Sequence, residues 1–127
     1  MAEPLESKTI LIVDDDPDIV NAITVGLDGT GATLEVAEDG NAAVEKVAEL
    51  DPDLIVLDAM LPKRSGFLVL EGLKNKKKRG DRPLVVMITG NEGKRHQVWA
   101  ETLGVDDYIT KPFRMERLID SVEKLLA

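Results

Sequence analysis

Three stretches of this chain are short, apolar without interruption, and stopped abruptly by a polar residue: Thr9 to Val13 (TILIV), Leu54 to Leu57 (LIVL) and Pro83 to Ile88 (PLVVMI). Runs of this length, rich in branched side chains and lacking polar alternation, suit strands buried on both faces, as in a parallel sheet between helix layers. Between the runs the period changes. Ile19, Val20, Ile23 and Leu27 recur at helical spacing. The pair Asp16 and Pro17 supplies a cap and a first helical residue ahead of them, and Asp28, Gly29 and Gly31 stop the helix.

The same alternation runs to the end of the chain. Thr33 to Ala37 alternates as a strand, and Asp39, Gly40 and Asn41 turn into a helix carrying Ala43, Val44, Val47, Ala48 and Leu50. Beyond the loop Pro62 to Gly66, a third helix carries Phe67, Leu68, Leu70, Glu71 and Leu73. Asn91 to Gly104 predicts a fourth, marked only by Val98, Trp99, Ala100 and Leu103. Tyr108 to Thr110 reads as a short fifth strand, and Leu118, Ile119, Val122, Leu125 and Leu126 as the final helix. Five strands alternating with five helices predict an α/β domain, a doubly wound parallel sheet with helices on both faces. Residues 1–8 read as a polar leader and residues 9–127 as the domain.

A chain of 127 residues with 43% hydrophobic content is about one domain and buries a core without covalent staples. The absence of cysteine excludes disulfides, thiolate metal sites and a cysteine nucleophile. MAEPLESK has no signal-peptide pattern and no apolar run is long enough to span a bilayer, which predicts a soluble, cytoplasmic chain without membrane contact. A net charge of -8 argues against direct nucleic-acid binding. Lys74 to Arg79, the basic exception, reads as a solvated helix end favoured by the helix dipole.

In a parallel sheet with right-handed crossovers, residues that end the strands meet at one edge, where ligands of such sheets gather. Here these are Asp14, Asp15, Asp58, Thr89 and Lys111. Each has a plain reading alone: a second cap for the first helix, a turn residue, a solvated lysine. Together they crowd three carboxylates, which a cation must join. Oxygen ligands without histidine or cysteine favour magnesium over zinc, and magnesium keeps positions open for a phosphoryl group. One carboxylate is then a candidate nucleophile for an aspartyl phosphate, with Lys111 and the metal neutralising charge.

These residues resemble the receiver domains of two-component response regulators, of the chemotaxis-regulator type. IVDDDP at 12–17, LIVLDAMLP at 54–62, MITG at 87–90 and DDYITKPF at 106–113 are similar to the family's sequence blocks, in order. The resemblance implies a flavodoxin-like sheet of strand order 2-1-3-4-5. It implies Asp58 as phosphoacceptor, magnesium held directly by Asp15, Asp58 and the Met60 carbonyl and through water by Asp14, and Thr89 and Lys111 on the phosphoryl oxygens. Tyr108 matches the switch aromatic, whose ring reorients as Thr89 moves. The implied partners are a sensor histidine kinase or histidine phosphotransfer protein and an unknown output protein or domain. Binding would switch through the face of the fourth helix, fifth strand and fifth helix, which also allows a phosphorylation-dependent dimer. Beyond its own phosphorylation and dephosphorylation, such a domain is a switch and not an enzyme.

Gly90 replaces the alanine common in the family. Met60 is apolar where some relatives orient the hydrolytic water, leaving Asn91 as the nearby polar candidate and predicting a long-lived phosphate. Met60 also stands where an aspartate-nucleophile phosphatase would have its second acid. A flavin- or nucleotide-binding domain would want a phosphate loop after the first strand in place of Asp14, Asp15 and Asp16. Intact acids also weigh against a receiver-like module that works unphosphorylated. His96, the single histidine, reads as a solvated surface residue. Trp99 reads either as part of the core or as an exposed anchor on the output face. Glu101, where the DNA-binding subgroup tends to be apolar, weakens that subgroup's mode of dimerisation.

Overall fold

The computed structural model describes residues 5–73, 80–90 and 94–127. Five strands, β1 (Thr9–Val13), β2 (Thr33–Ala37), β3 (Leu54–Asp58), β4 (Leu84–Thr89) and β5 (Asp107–Thr110), alternate with five helices. The helices are α1 (Pro17–Asp28), α2 (Gly40–Leu50), α3 (Gly66–Glu71), α4 (Lys94–Thr102) and α5 (Met115–Leu126). All neighbouring strands pair in parallel, in the order β2-β1-β3-β4-β5. The doubly wound sheet and its flavodoxin-like order are those expected.

The apolar runs are continuous because successive side chains serve opposite layers. Leu11, Val13, Ile55, Leu57, Val85 and Met87 face the layer that contains Ala43, Phe67, Leu70 and Ala100 of α2, α3 and α4. Ile10, Ile12, Leu54, Val56, Val86 and Ile88 face Ile23 and Leu27 of α1 and Leu118, Val122 and Leu126 of α5. Helix starts follow local chemistry. Asp16 caps α1 by accepting the Asp18 amide, with Pro17 behind it. Asp39 caps α2 through the Ala42 amide at 2.8 Å, and Ser65 caps α3 through the Leu68 amide at 3.3 Å. Each side-chain oxygen satisfies an amide that the helix leaves unpartnered.

Several boundaries differ from expectation. Asp58 and Thr89 are the last residues of β3 and β4 and do not follow them, whereas Pro83, having no amide hydrogen, stays outside β4. The reading of residues 1–8 as a polar leader is corrected at Leu5, which is only 1% exposed. Its side chain joins the layer under α1 and α5, and its amide donates to the Thr30 carbonyl at 2.8 Å. One apolar residue in a polar stretch carries no periodicity, so sequence cannot reveal its burial. The basic run Lys74 to Arg79, Asn91 and the predicted start of α4 lie outside the described residues. Among those described, no helix is long and apolar enough to cross a membrane.

Candidate functional site

The register of the sheet assembles the strand-end residues. Val13 pairs with Leu57, Asp58 with Ile88, and Thr89 with Thr110, so Asp14, Asp58, Thr89 and Lys111 emerge at one edge. Carboxylate oxygens of Asp14, Asp15 and Asp58 lie within 4.8 Å of one another. Asp14 and Asp58 are 2% and 4% exposed, while Asp15 faces solvent.

Burial is the largest influence on Asp14 and pushes its pKa up from 3.8 to about 6. The negative charges of Asp58 and Asp15 act in the same direction, and the Asp16 amide and Lys111 oppose them. That amide donates to Asp14 Oδ1 at 2.9 Å, so Asp14 bonds the backbone of Asp16, the residue that caps α1, and the plain reading of Asp14 as a second cap for that helix is met only one residue ahead of it.

The two oxygens of Asp58 have different partners. Oδ1 accepts the Met60 amide at 3.1 Å, and Oδ2 lies 3.6 Å from Lys111 Nζ. The Lys111 amide donates to the Thr89 carbonyl at 2.7 Å, which ties the lysine to the end of β4. Thr89 is fully buried. Its side chain shares a hydrogen bond with the Tyr108 hydroxyl, whose pKa is raised by burial and pulled back by that bond. All the predicted site side chains except that of Met60 therefore meet at one edge. Met60 turns its side chain outward, 69% exposed, and keeps its backbone beside Asp58.

One lysine cannot balance three carboxylates of which two are buried, so the donor set fits a hard divalent cation. Its oxygen-only composition suits magnesium. Beside the acids, a groove of about 510 Å3 runs along α1 and β2, lined by Pro17, Val20, Thr24, Val36 and Glu38.

Other readings are revised. His96 is half-buried, not solvated, with its ring 5.8 Å from that of Phe67. Trp99 is part of the packing and part of the surface: it stacks on Phe67 at 4.3 Å and 5° between planes, yet stays 41% exposed. At Gly90 an added Cβ would meet nothing within 4 Å, so space does not impose glycine there. Two features went unread in the sequence. Asp107 accepts Arg117 through both oxygens at 2.8 and 3.1 Å and Ser121 Oγ at 2.6 Å, and Gly40 and Gly66 press against the loop that carries Met60. The ten-residue spacing of Asp107 and Arg117 crosses from strand to helix, where no single period applies.

The sheet order and the acid cluster at its carboxyl edge define a flavodoxin-like domain whose polar chemistry is gathered in one strand-end cleft. Within that class the chain belongs to the response regulator receiver domain family, which matches residues 10–123. It is 38% identical over 117 residues to the DNA-binding dual master transcriptional regulator RpaA of a Synechocystis species, covering 92% of this chain and 48% of that protein. It is 37% identical over 120 residues to the alkaline phosphatase synthesis transcriptional regulatory protein PhoP of Bacillus subtilis, covering 94% and 49%. The chain thus spans about half the length of these curated relatives. Among solved structures, the receiver domain of Francisella response regulator 1452 superposes with a TM-score of 0.85 at 28% identity, covering 94% of this chain and 97% of that one. The BeF3-activated DrrB receiver domain gives 0.81 at 29%, with the same coverage.

Proposed function

We propose that this chain is a phosphorylation-controlled switch in which Asp58 accepts a phosphoryl group from a phosphohistidine of a sensor histidine kinase or histidine phosphotransfer protein. The observation that carries this reading is the placement of Asp58: at the end of β3, within 4.8 Å of two further carboxylates and 3.6 Å from the Lys111 ammonium. A carboxylate oxygen of Asp58 forms the new bond to phosphorus as the phosphorus–nitrogen bond breaks, and the donor imidazole leaves with that electron pair. Lys111 offsets charge on the transferred oxygens, and the Thr89 hydroxyl donates to one of them. Asp15, Asp58 and the Met60 carbonyl would hold magnesium, with Asp14 helping through water, and the bound ion would neutralise charge at the phosphoryl group. The groove beside α1 gives the donor an approach.

The one hydroxyl hydrogen of Thr89 cannot serve a phosphoryl oxygen and the bond to Tyr108 at once. That bond couples the site to the face of α4, β5 and α5, which we assign to an output partner or to a phosphorylation-dependent dimer. Met60, apolar and exposed, offers no second acid for a phosphatase and no group to orient water. Cytoplasmic location and the lack of direct nucleic-acid contact belong to the same proposal.

Intact mass after incubation with acetyl phosphate and magnesium tests it. One phosphate-sized gain that disappears in Asp58→Asn is expected. No gain leaves a module that works unphosphorylated, and a gain that survives the substitution places the phosphate on a residue other than Asp58 and overturns the assignment.

A further inference from the structure

We propose that Gly66 and Gly40 are positioning residues of the cation site, holding residues 59–65 close enough to β3 that the Met60 backbone, whose amide donates to Asp58 Oδ1, stays beside Asp58. The proposal rests on the magnesium reading given above.

Neither glycine is needed for its backbone conformation, since among the described residues the positive-φ glycines are Gly31, Gly80 and Gly104. The constraint is space. A Cβ on Gly66 would lie 2.3 Å from the Asp58 carbonyl oxygen and 2.8 Å from Ala59 Cα. A Cβ on Gly40 would lie 2.0 Å from the Arg64 carbonyl oxygen and 2.7 Å from its carbon. These obstacles are backbone atoms, which no rotamer change removes. Hydrogen bonds run through the same contacts: the Gly66 amide donates to the Ala59 carbonyl at 3.0 Å, and the Gly40 amide to the Pro62 carbonyl at 3.3 Å. The loop is thus clipped at one end to the terminus of β3 and along its middle to the start of α2.

The end of β3 cannot retreat from an added methyl group. Asp58 is in register with Ile88, and the Ala59 amide donates to the Ile88 carbonyl at 2.9 Å. The loop must move instead, by roughly 1 Å to restore ordinary contact at 3.4 Å. Ligand distances at a metal tolerate only about 0.2 Å. Loss of groups that orient a ligand typically weakens metal binding about 10–100-fold. A loop displaced at Gly66 or Gly40 carries the Met60 carbonyl with it, so a loss of that size is expected.

Manganese, as a stand-in for magnesium, is titrated into the full chain, and the free ion is read by electron paramagnetic resonance. Circular dichroism reports whether each variant is folded. Folded Gly66→Ala and Gly40→Ala are expected to bind about 10–100-fold more weakly than wild type. Gly29→Ala, where a Cβ meets nothing within 4 Å, is expected to bind normally. Wild-type affinity in the folded Gly66 and Gly40 variants overturns the positioning role while leaving the metal site intact. If wild type binds no manganese, or Asp15→Asn and Asp58→Asn bind as well as wild type, the magnesium reading itself falls and the proposal with it. Should both alanine variants unfold, a glycine inserted between Arg64 and Ser65 slackens the loop without adding a Cβ. The same loss is expected there, and unchanged affinity overturns the role.

Discussion

Asp14→Asn should make the cation-free protein more stable at pH 7. Asp14 is 2% exposed, and its pKa stands at about 6 against an ordinary 3.8. Ionising it in the folded chain therefore costs about 3 kcal/mol more than in the unfolded chain. The cleft opens to solvent at Asp15, so screening reduces this to about 2 kcal/mol. Because the folded pKa lies above the unfolded one, the folded state binds the proton more tightly between the two values. Stability is full below the unfolded pKa, falls as pH rises toward 6, and levels off above it. The assay is thermal unfolding in chelator from pH 4.5 to 7.5. Wild type should lose about 1 kcal/mol across that range, the rest of the loss falling below pH 4.5, or roughly 4 °C for a domain of this size. Asparagine keeps the acceptor for the Asp16 amide and loses the titration, so Asp14→Asn should show a much flatter profile. Excess magnesium should restore wild type at pH 7 and help the variant less. Equal pH slopes in the two proteins would refute the reasoning, because the buried charge would then not be the source of the loss.

Three further outcomes are expected. Arg117→Ala should cost about 1 kcal/mol in urea unfolding at pH 7, the pair being partly exposed. Burial raises the Asp107 pKa, but the bonds from Arg117 and Ser121 outweigh it and leave it lowered; the cost should fade as pH falls below about 4, and a gap that persists there would contradict the ion-pair origin. Phe67→Leu should remove a stack worth about 1 kcal/mol and shift the emission of Trp99, the single tryptophan; unchanged emission would show that the stack does not persist in solution. Met60→Asn should shorten the half-life of the Asp58 phosphate, measured by loss of the mass gain after donor removal, and no acceleration would count against Met60 as the cause of slow hydrolysis.

Asp58 was legible as a candidate because a strand buried on both faces must be apolar throughout, so a carboxylate at its end stands out. Asp14, Thr89 and Lys111 were legible for the same reason, once parallel topology placed all strand ends at one edge. Each of these signals depends on near neighbours in the chain or on a repeat with a fixed period, and so did the cap Asp16. Contacts between distant residues leave no such trace. Leu5 fills the layer under α1 and α5, Trp99 lies flat on Phe67, and His96 packs beside them, yet nothing local distinguishes these positions from surface. Gly40 and Gly66 look like ordinary turn glycines; only the folded chain brings the Arg64 and Asp58 carbonyls where a Cβ would stand. Sequence by itself determined the order of elements, the double burial of the sheet and the identity of the acids. The tertiary structure decided how close those acids lie, which of them loses its water, and what holds the loop against them, because distance and desolvation exist only after the chain has packed.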